Sequence, residues 1–219
     1  MKRLAITLGL TFCLIFTLKT GAMAQDEIQK RITMYKNISS QGESYGIEFQ
    51  LWGENLKEVR KFSIRVPNGK KIQFSNRMNF NNFLVSTDSM NFTQFNRQFP
   101  EGEYEIDFSP RRYGRFVVNM IYNFPNPLIT YPSDGATGVP LDLTFQWGPL
   151  ENIGSLTITI KSASNELTND LPTNATSFTP SGGLDPNTQY NVSLRAEAID
   201  FEGNRLVTTH TISFTTGAQ

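Results

Sequence analysis

The period of the apolar residues limits this chain more than any other feature of its sequence. Leu156, Ile158 and Ile160 alternate with Thr157, Thr159 and Lys161, and Tyr104, Ile106 and Phe108 alternate with Glu103, Glu105 and Asp107. Side chains two apart share one face of a strand, so each segment offers one apolar and one polar face. Segments of this kind recur between Gly, Pro, Asn and Asp, and beyond residue 24 no window keeps a long apolar period of 3.6. The chain is therefore expected to be all-β, with half-buried antiparallel strands.

In the first half, Ile47 to Trp52 reads as a strand. Phe62 to Val66 and Lys71 to Phe74 flank Pro67-Asn68-Gly69-Lys70 and read as a hairpin, because Asn-Gly favours the tight turn. Glu103 to Phe108 turns through Ser109 to Gly114 and returns as Arg115 to Tyr122. At Phe124-Pro125-Asn126-Pro127, two prolines remove two backbone donors and bias their predecessors toward extended backbone. This is the expected domain boundary, giving two β-sandwich domains, residues 25–125 and 128–219, end to end on a short, stiff connection. In the second half, seven strands are expected: Leu128 to Tyr131, Leu141 to Trp147, Ser155 to Ser162, Glu166 to Asp170, one around Phe178, Tyr190 to Ala198, and Leu206 to Phe214. Seven short strands in such a length suit an immunoglobulin-like Greek-key sandwich.

The segment Leu184-Asp185-Pro186-Asn187-Thr188-Gln189-Tyr190-Asn191-Val192 resembles the corner before strand F of fibronectin type III domains. Trp147 stands where that family carries its core tryptophan, and Ser213-Phe214-Thr215-Thr216 is similar to its closing strand. The resemblance covers Leu128 to Gly217. It implies a seven-stranded sandwich in which the Tyr190 hydroxyl bonds to backbone near Gly183 or Leu184, and a spacer or binding role without a defined ligand. The opening Pro132 to Val139, of the form Pro-x-Asp-Gly-Ala-x-x-Val, is also similar to segments that lead into such domains in secreted bacterial proteins. The chain has no Arg-Gly-Asp, so the integrin-binding loop of some family members does not carry over.

Lys2 and Arg3, the apolar run Leu4 to Leu18, and Ala22-Met23-Ala24 form a signal-peptide pattern, with cleavage expected after Ala24. The run is shorter than the roughly 20 residues that span a bilayer, so no transmembrane segment is expected after cleavage. Export to the periplasm, medium or cell surface follows. Cys13, the chain's one cysteine, lies in the removed part, which leaves no disulfide. The leader takes Lys2, Arg3 and Lys19 from the 20 basic residues, leaving 17 against 20 acidic ones, a net of −3. Nucleic acid is a poor partner for such a balance.

Catalysis finds few groups here. His210, the single histidine, shares parity with Ile212 and Phe214 and reads as a partly covered strand residue, with no companion ligands for zinc and no visible triad. Glu103, Glu105 and Asp107 could pair as in glycoside hydrolases, but Arg111, Arg112 and Arg115 nearby make them a solvated, charge-paired face. No Asp-x-Asp-x-Asp-Gly loop supports calcium. No catalytic residue, metal or cofactor is expected. The stretch from Asn76 to Gln98 interleaves asparagines with Phe80, Phe83, Phe92 and Phe95, the candidate binding residues for a sugar or peptide, with core packing as the competing role. The sequons at Asn37, Asn91, Asn174 and Asn191 are read as chance matches. A secreted interaction or adhesion module with a protein or cell-surface partner is the leading expectation. A carbohydrate-binding accessory protein is the alternative, and a glycoside hydrolase comes third.

Overall fold

The computed structural model describes residues 28–87, 89–200 and 203–218. The expected signal peptide, residues 1–24, lies outside them. The chain folds into β-strands, as the alternation requires. In order they are β1 (Gln29–Ser39), β2 (Gly42–Trp52), β3 (Lys61–Arg65), β4 (Lys71–Ser75), β5 (Asn82–Ser86), β6 (Gly102–Ser109) and β7 (Arg115–Met120) in the first half. The second half holds β8 (Ile129–Tyr131), β9 (Ala136–Val139), β10 (Phe145–Trp147), β11 (Ser155–Lys161), β12 (Glu166–Leu171), β13 (Ser177–Phe178), β14 (Gln189–Ile199) and β15 (Arg205–Thr216).

Two hydrophobic cores separate. The first contains Met34, Ile47, Phe49, Ile64, Phe95, Tyr104, Ile106 and Val118, and the second contains Phe145, Trp147, Ile158, Ile160, Tyr190, Val192 and Phe214. Fully burying one such side chain is worth about 1.5–3 kcal/mol, so each core can support a sandwich. In the second half the sheet β13-β10-β8 faces the strands β12-β11-β14-β15, the layering of an immunoglobulin-like sandwich. Here the structure adds an eighth strand to the seven expected. Ala136–Val139 runs parallel to the end of β15, with Phe214 opposite Ala136.

The first sandwich packs β5-β2-β1 against β4-β3-β6-β7. The hairpin read from Asn68-Gly69 forms as expected, with Ile64 opposite Ile72 and Gly69 at φ +83, a backbone region that glycine enters without a Cβ clash. Tyr104, Ile106 and Phe108 point inward at 0%, 1% and 3% exposure, so the second hairpin has the parity its sequence implies.

The two halves are not merely strung on their prolines. β1 lies parallel to β15 over six consecutive pairs, from Thr33 opposite Arg205 to Ile38 opposite His210. A single sheet therefore runs β12-β11-β14-β15-β1-β2-β5 through both halves. β15 is long enough to serve both: along one edge it pairs with β14 from Thr215 to Arg205, and along the other it meets β1 first and β9 last. Its Leu206 is buried in the first core, beside the partly buried Ala198 of β14. On the opposite face Glu197, with a side chain only 9% exposed, binds Arg195 at 3.1 Å and Arg205 at 3.1 Å and covers the seam. The connection is thus a shared sheet, not the segment Phe124-Pro125-Asn126-Pro127 alone.

One further element departs from the sequence reading. Phe92–Gln98 is a short helix, α1, capped by Asn91, whose side chain accepts from the Gln94 N–H at 2.9 Å. Phe92, Phe95 and Phe99 stand at helical spacing, but about two turns are too short to show as a long period.

Candidate interaction surfaces

The four candidate phenylalanines do not share one surface. Phe95 is fully buried and Phe83 is packed edge-on against Phe62, ring centroids 4.7 Å apart, so both serve the first core. Phe80 and Phe92 stay 50% and 47% exposed. Phe80 sits in the loop held by Asn76, which is 2% exposed and donates to the Leu56 and Phe80 carbonyls at 3.0 and 2.9 Å while accepting from the Phe80 N–H. Next to it, the Asn81 carbonyl accepts from Gly53 beyond the last residue of β2. Phe92 instead leans on Tyr45, near the start of β2, with centroids 5.2 Å apart. Eight residues of extended chain separate Tyr45 from Gly53, on the order of 25 Å at the usual rise. The two rings thus stand at opposite ends of a strand, and no aromatic row links them.

The carboxylates of β6 face outward, and two of them, Glu105 and Asp107, are paired. Arg115 binds Asp107 at 2.9 Å and Glu105 at 3.3 Å, and Arg65 of β3 binds Glu105 at 3.2 Å. The pairing expected for Arg115 is present, and Arg65 is a partner that local sequence did not reveal. The Arg112 side chain lies outside the described residues. Asp107, then Glu105, raise the affinity of Arg115 for its proton. Such cross-strand pairs are worth roughly 0.2–1 kcal/mol each, the energetics of a charged surface. Among the described residues no group of three or more His, Cys, Asp or Glu could hold a metal ion.

His210 lies half-buried on β15, and its Nδ1 accepts from the Ile129 N–H at 2.9 Å. That bond needs an unprotonated Nδ1, so His210 ties β8 to β15 as a neutral ring. Burial pushes its pKa below 6.5, only partly offset by Asp134. A depressed folded-state value means that the contribution to stability is complete above the unfolded-state pKa of about 6.5 and is lost as pH falls through the lower folded value. Melting temperature should therefore hold level above pH 7 and decline more steeply below pH 6 in the native protein than in His210→Gln. Parallel curves for the two proteins would contradict this role.

At the corner before β14, Tyr190 is 5% exposed and its hydroxyl accepts from the Asp185 N–H at 2.9 Å. The backbone partner is thus one residue beyond the expected Leu184, and the hydroxyl is the acceptor. Thr216 closes the same corner by donating to the Asp185 carbonyl at 2.6 Å. Tyr190→Phe should cost about 0.5–1.5 kcal/mol in chemical denaturation, the value of one net hydrogen bond. A change below about 0.3 kcal/mol would mean that the corner is held by Thr216 and packing alone.

Two concave regions stand out. A cleft of about 500 Å³ lies between the halves, bordered by the linker residues Asn123 to Asn126 and by Gly148 to Asn152. A groove of about 680 Å³ crosses the outer face of β4-β3-β6-β7. No described helix is long and apolar enough to cross a membrane.

No curated protein matches the chain. Among solved structures it resembles the FN1–FN3 domains of chicken CNTN1, at 10% identity and TM-score 0.31, covering 85% of this chain and 63% of that one. It resembles a 1.5-MDa bacterial ice-binding adhesin at 11% identity and TM-score 0.29, covering 87% and 66%. A third is the human OSCAR ligand-binding domain, at 10% identity and TM-score 0.28, covering 83% and 97%. The chain spans less than two thirds of the length of the first two. Residues 125–216 match the family model of the bacterial Ig-like domain, and the second sandwich is accordingly immunoglobulin-like.

Proposed function

We propose that this chain is an exported, non-catalytic interaction module that engages a protein or cell-surface partner, with residues 1–24 as its removable signal and residues 25–125 and 128–219 as its two sandwiches. The observation that carries the reading is the continuous sheet through both halves, attached to an Ig-like unit. A parallel ladder and Leu206, a β15 residue buried in the first core, hold the two sandwiches as one stiff body, which suits a part that presents a surface rather than one that closes on a substrate. The finer assignment, a fibronectin type III domain, is supported by the Tyr190 corner and by Trp147, whose indole N–H donates to the Ala175 carbonyl at 2.7 Å. The test is binding of the labelled protein to intact cells of its source. Saturable binding is expected, and the intact mass of the exported protein should begin at Gln25. Absence of saturable binding would remove the reading, and retention of residues 1–24 would make the leader an anchor instead. The alternative, a carbohydrate-binding accessory role, keeps support from the exposed Phe80 and Phe92.

A further inference from the structure

The outer face of β4-β3-β6-β7 gathers cations that the sequence scatters over four segments. Lys61 and Arg65 stand at the two ends of β3, roughly 13 Å apart at the usual rise. Lys71 lies opposite Arg65, while Arg111 borders the Lys61 end, where Lys61 pairs with Ser109, and Arg115 stands opposite Asp107, level with Ser63. Glu105 and Asp107 neutralise Arg65 and Arg115. Lys61, Lys71 and Arg111 have no carboxylate partner among the described residues, and all three are exposed. The groove therefore has uncompensated positive charge at both ends, on a chain whose formal net charge is +0. Its middle is neutral and polar: Ser63, opposite Gln73 on one side and Asp107 on the other, faces the groove with them. Phe62 and Phe108 beneath it are buried in the first core, so they offer no ring face on which a nucleobase could stack.

We propose that this groove binds an acidic polysaccharide, a chain of carboxylated or sulfated sugars that spans it from Lys61 and Arg111 to Lys71. Charge at both ends asks for a ligand with repeated anions, since a single small anion reaches only one end. The hydroxyl, amide and carboxylate groups between them match sugar hydroxyls as donors and acceptors. A polypeptide of acidic residues would satisfy the ends but not this middle. The inference rests on the interaction-module reading and names the partner's chemistry.

The test uses the exported protein with polygalacturonate, dextran sulfate, neutral dextran and poly-L-glutamate, followed by fluorescence anisotropy. Binding to polygalacturonate or dextran sulfate is expected, the stronger of the two identifying the anionic group, with none to dextran and affinity for poly-L-glutamate at least about ten-fold weaker. Binding should weaken as salt rises from about 50 to 200 mM. The double variant Lys61→Glu/Lys71→Glu should lower affinity at least about ten-fold with an unchanged melting temperature, because neither lysine is buried. No binding to either acidic polysaccharide, equal binding by the double variant, or equal affinity for poly-L-glutamate would overturn the proposal. Cell binding without polysaccharide binding would sink this inference and leave the module reading standing. Polysaccharide binding without cell binding would do the reverse.

Discussion

Heating the protein should give one cooperative unfolding transition rather than two, and residues 25–125 prepared alone should show no native transition. The first sandwich is incomplete without the second. Removing β14 and β15 strips the β1 edge of its six parallel pairs and takes Leu206 out of the first core, where it is 4% exposed. Each lost backbone hydrogen bond costs on the order of 1 kcal/mol, and a buried leucine about 2–5 kcal/mol on truncation. The total is comparable with the whole stability of a single domain, about 5–15 kcal/mol. Leu206→Ala tests the same coupling within the intact chain. It should cost about 2–5 kcal/mol and shift the single transition as a whole, although the residue belongs to a strand of the Ig-like unit. Two calorimetric transitions, only one of them displaced by Leu206→Ala, would show that the halves melt independently.

Trp147→Ala is the second change with a large expected effect. Trp147 is 4% exposed between the two sheets of the Ig-like unit, and its indole N–H is bound to the Ala175 carbonyl at 2.7 Å. Truncating a buried tryptophan costs about 3–5 kcal/mol, through lost burial and the cavity left behind. The Ala175 carbonyl adds to this unless water reaches it. With no cysteine beyond Cys13 in the chain, no disulfide can hold the sandwich while its core is loosened. Denaturant unfolding should show a clear loss of midpoint, several times that of Tyr190→Phe. A loss below about 1 kcal/mol would mean that the core closes over the gap, contrary to the packing described.

What the sequence showed depended on how local each signal was. The alternation of Leu156, Ile158 and Ile160 leads directly to three inward residues at 1%, 0% and 3% exposure. Asn68-Gly69 set a hairpin because the turn chemistry lies within two residues. β1 was not legible in the same way. Its inward residues Ile32 and Met34 are bracketed by Lys30, Arg31 and Lys36, and its partner in β15 lies more than 150 positions away, where no local period can point. The ninth strand was masked by composition, since in Ala136-Thr137-Gly138-Val139 the β-formers Thr137 and Val139 alternate with Ala136 and Gly138, and Gly138 sits at φ +67. Phe92, Phe95 and Phe99 carried a helical spacing that Asn91 could have flagged as a cap, but the segment is a mere seven residues. Of the candidate phenylalanines, burial separates Phe83 and Phe95 from Phe80 and Phe92, a division that depends on which strand each loop crosses. The cationic groove was hidden for the same reason as β1: strand pairing, not chain order, brings Lys61, Lys71 and Arg111 to one face.

The fusion of the two halves is the claim on which the rest depends, and amide hydrogen exchange of the intact protein reads it most directly. In a parallel ladder, bonded N–H groups at Thr33 to Ile38 and Arg205 to His210 are withdrawn from solvent. Their protection should match that of the bonded amides between β11 and β14, well inside the Ig-like unit, because both open only when the whole body unfolds. Exchange at Thr33 to Ile38 as fast as at the linker residues Asn123 and Asn126, with β11 and β14 still protected, would contradict the shared sheet and return the chain to two sandwiches joined only by prolines.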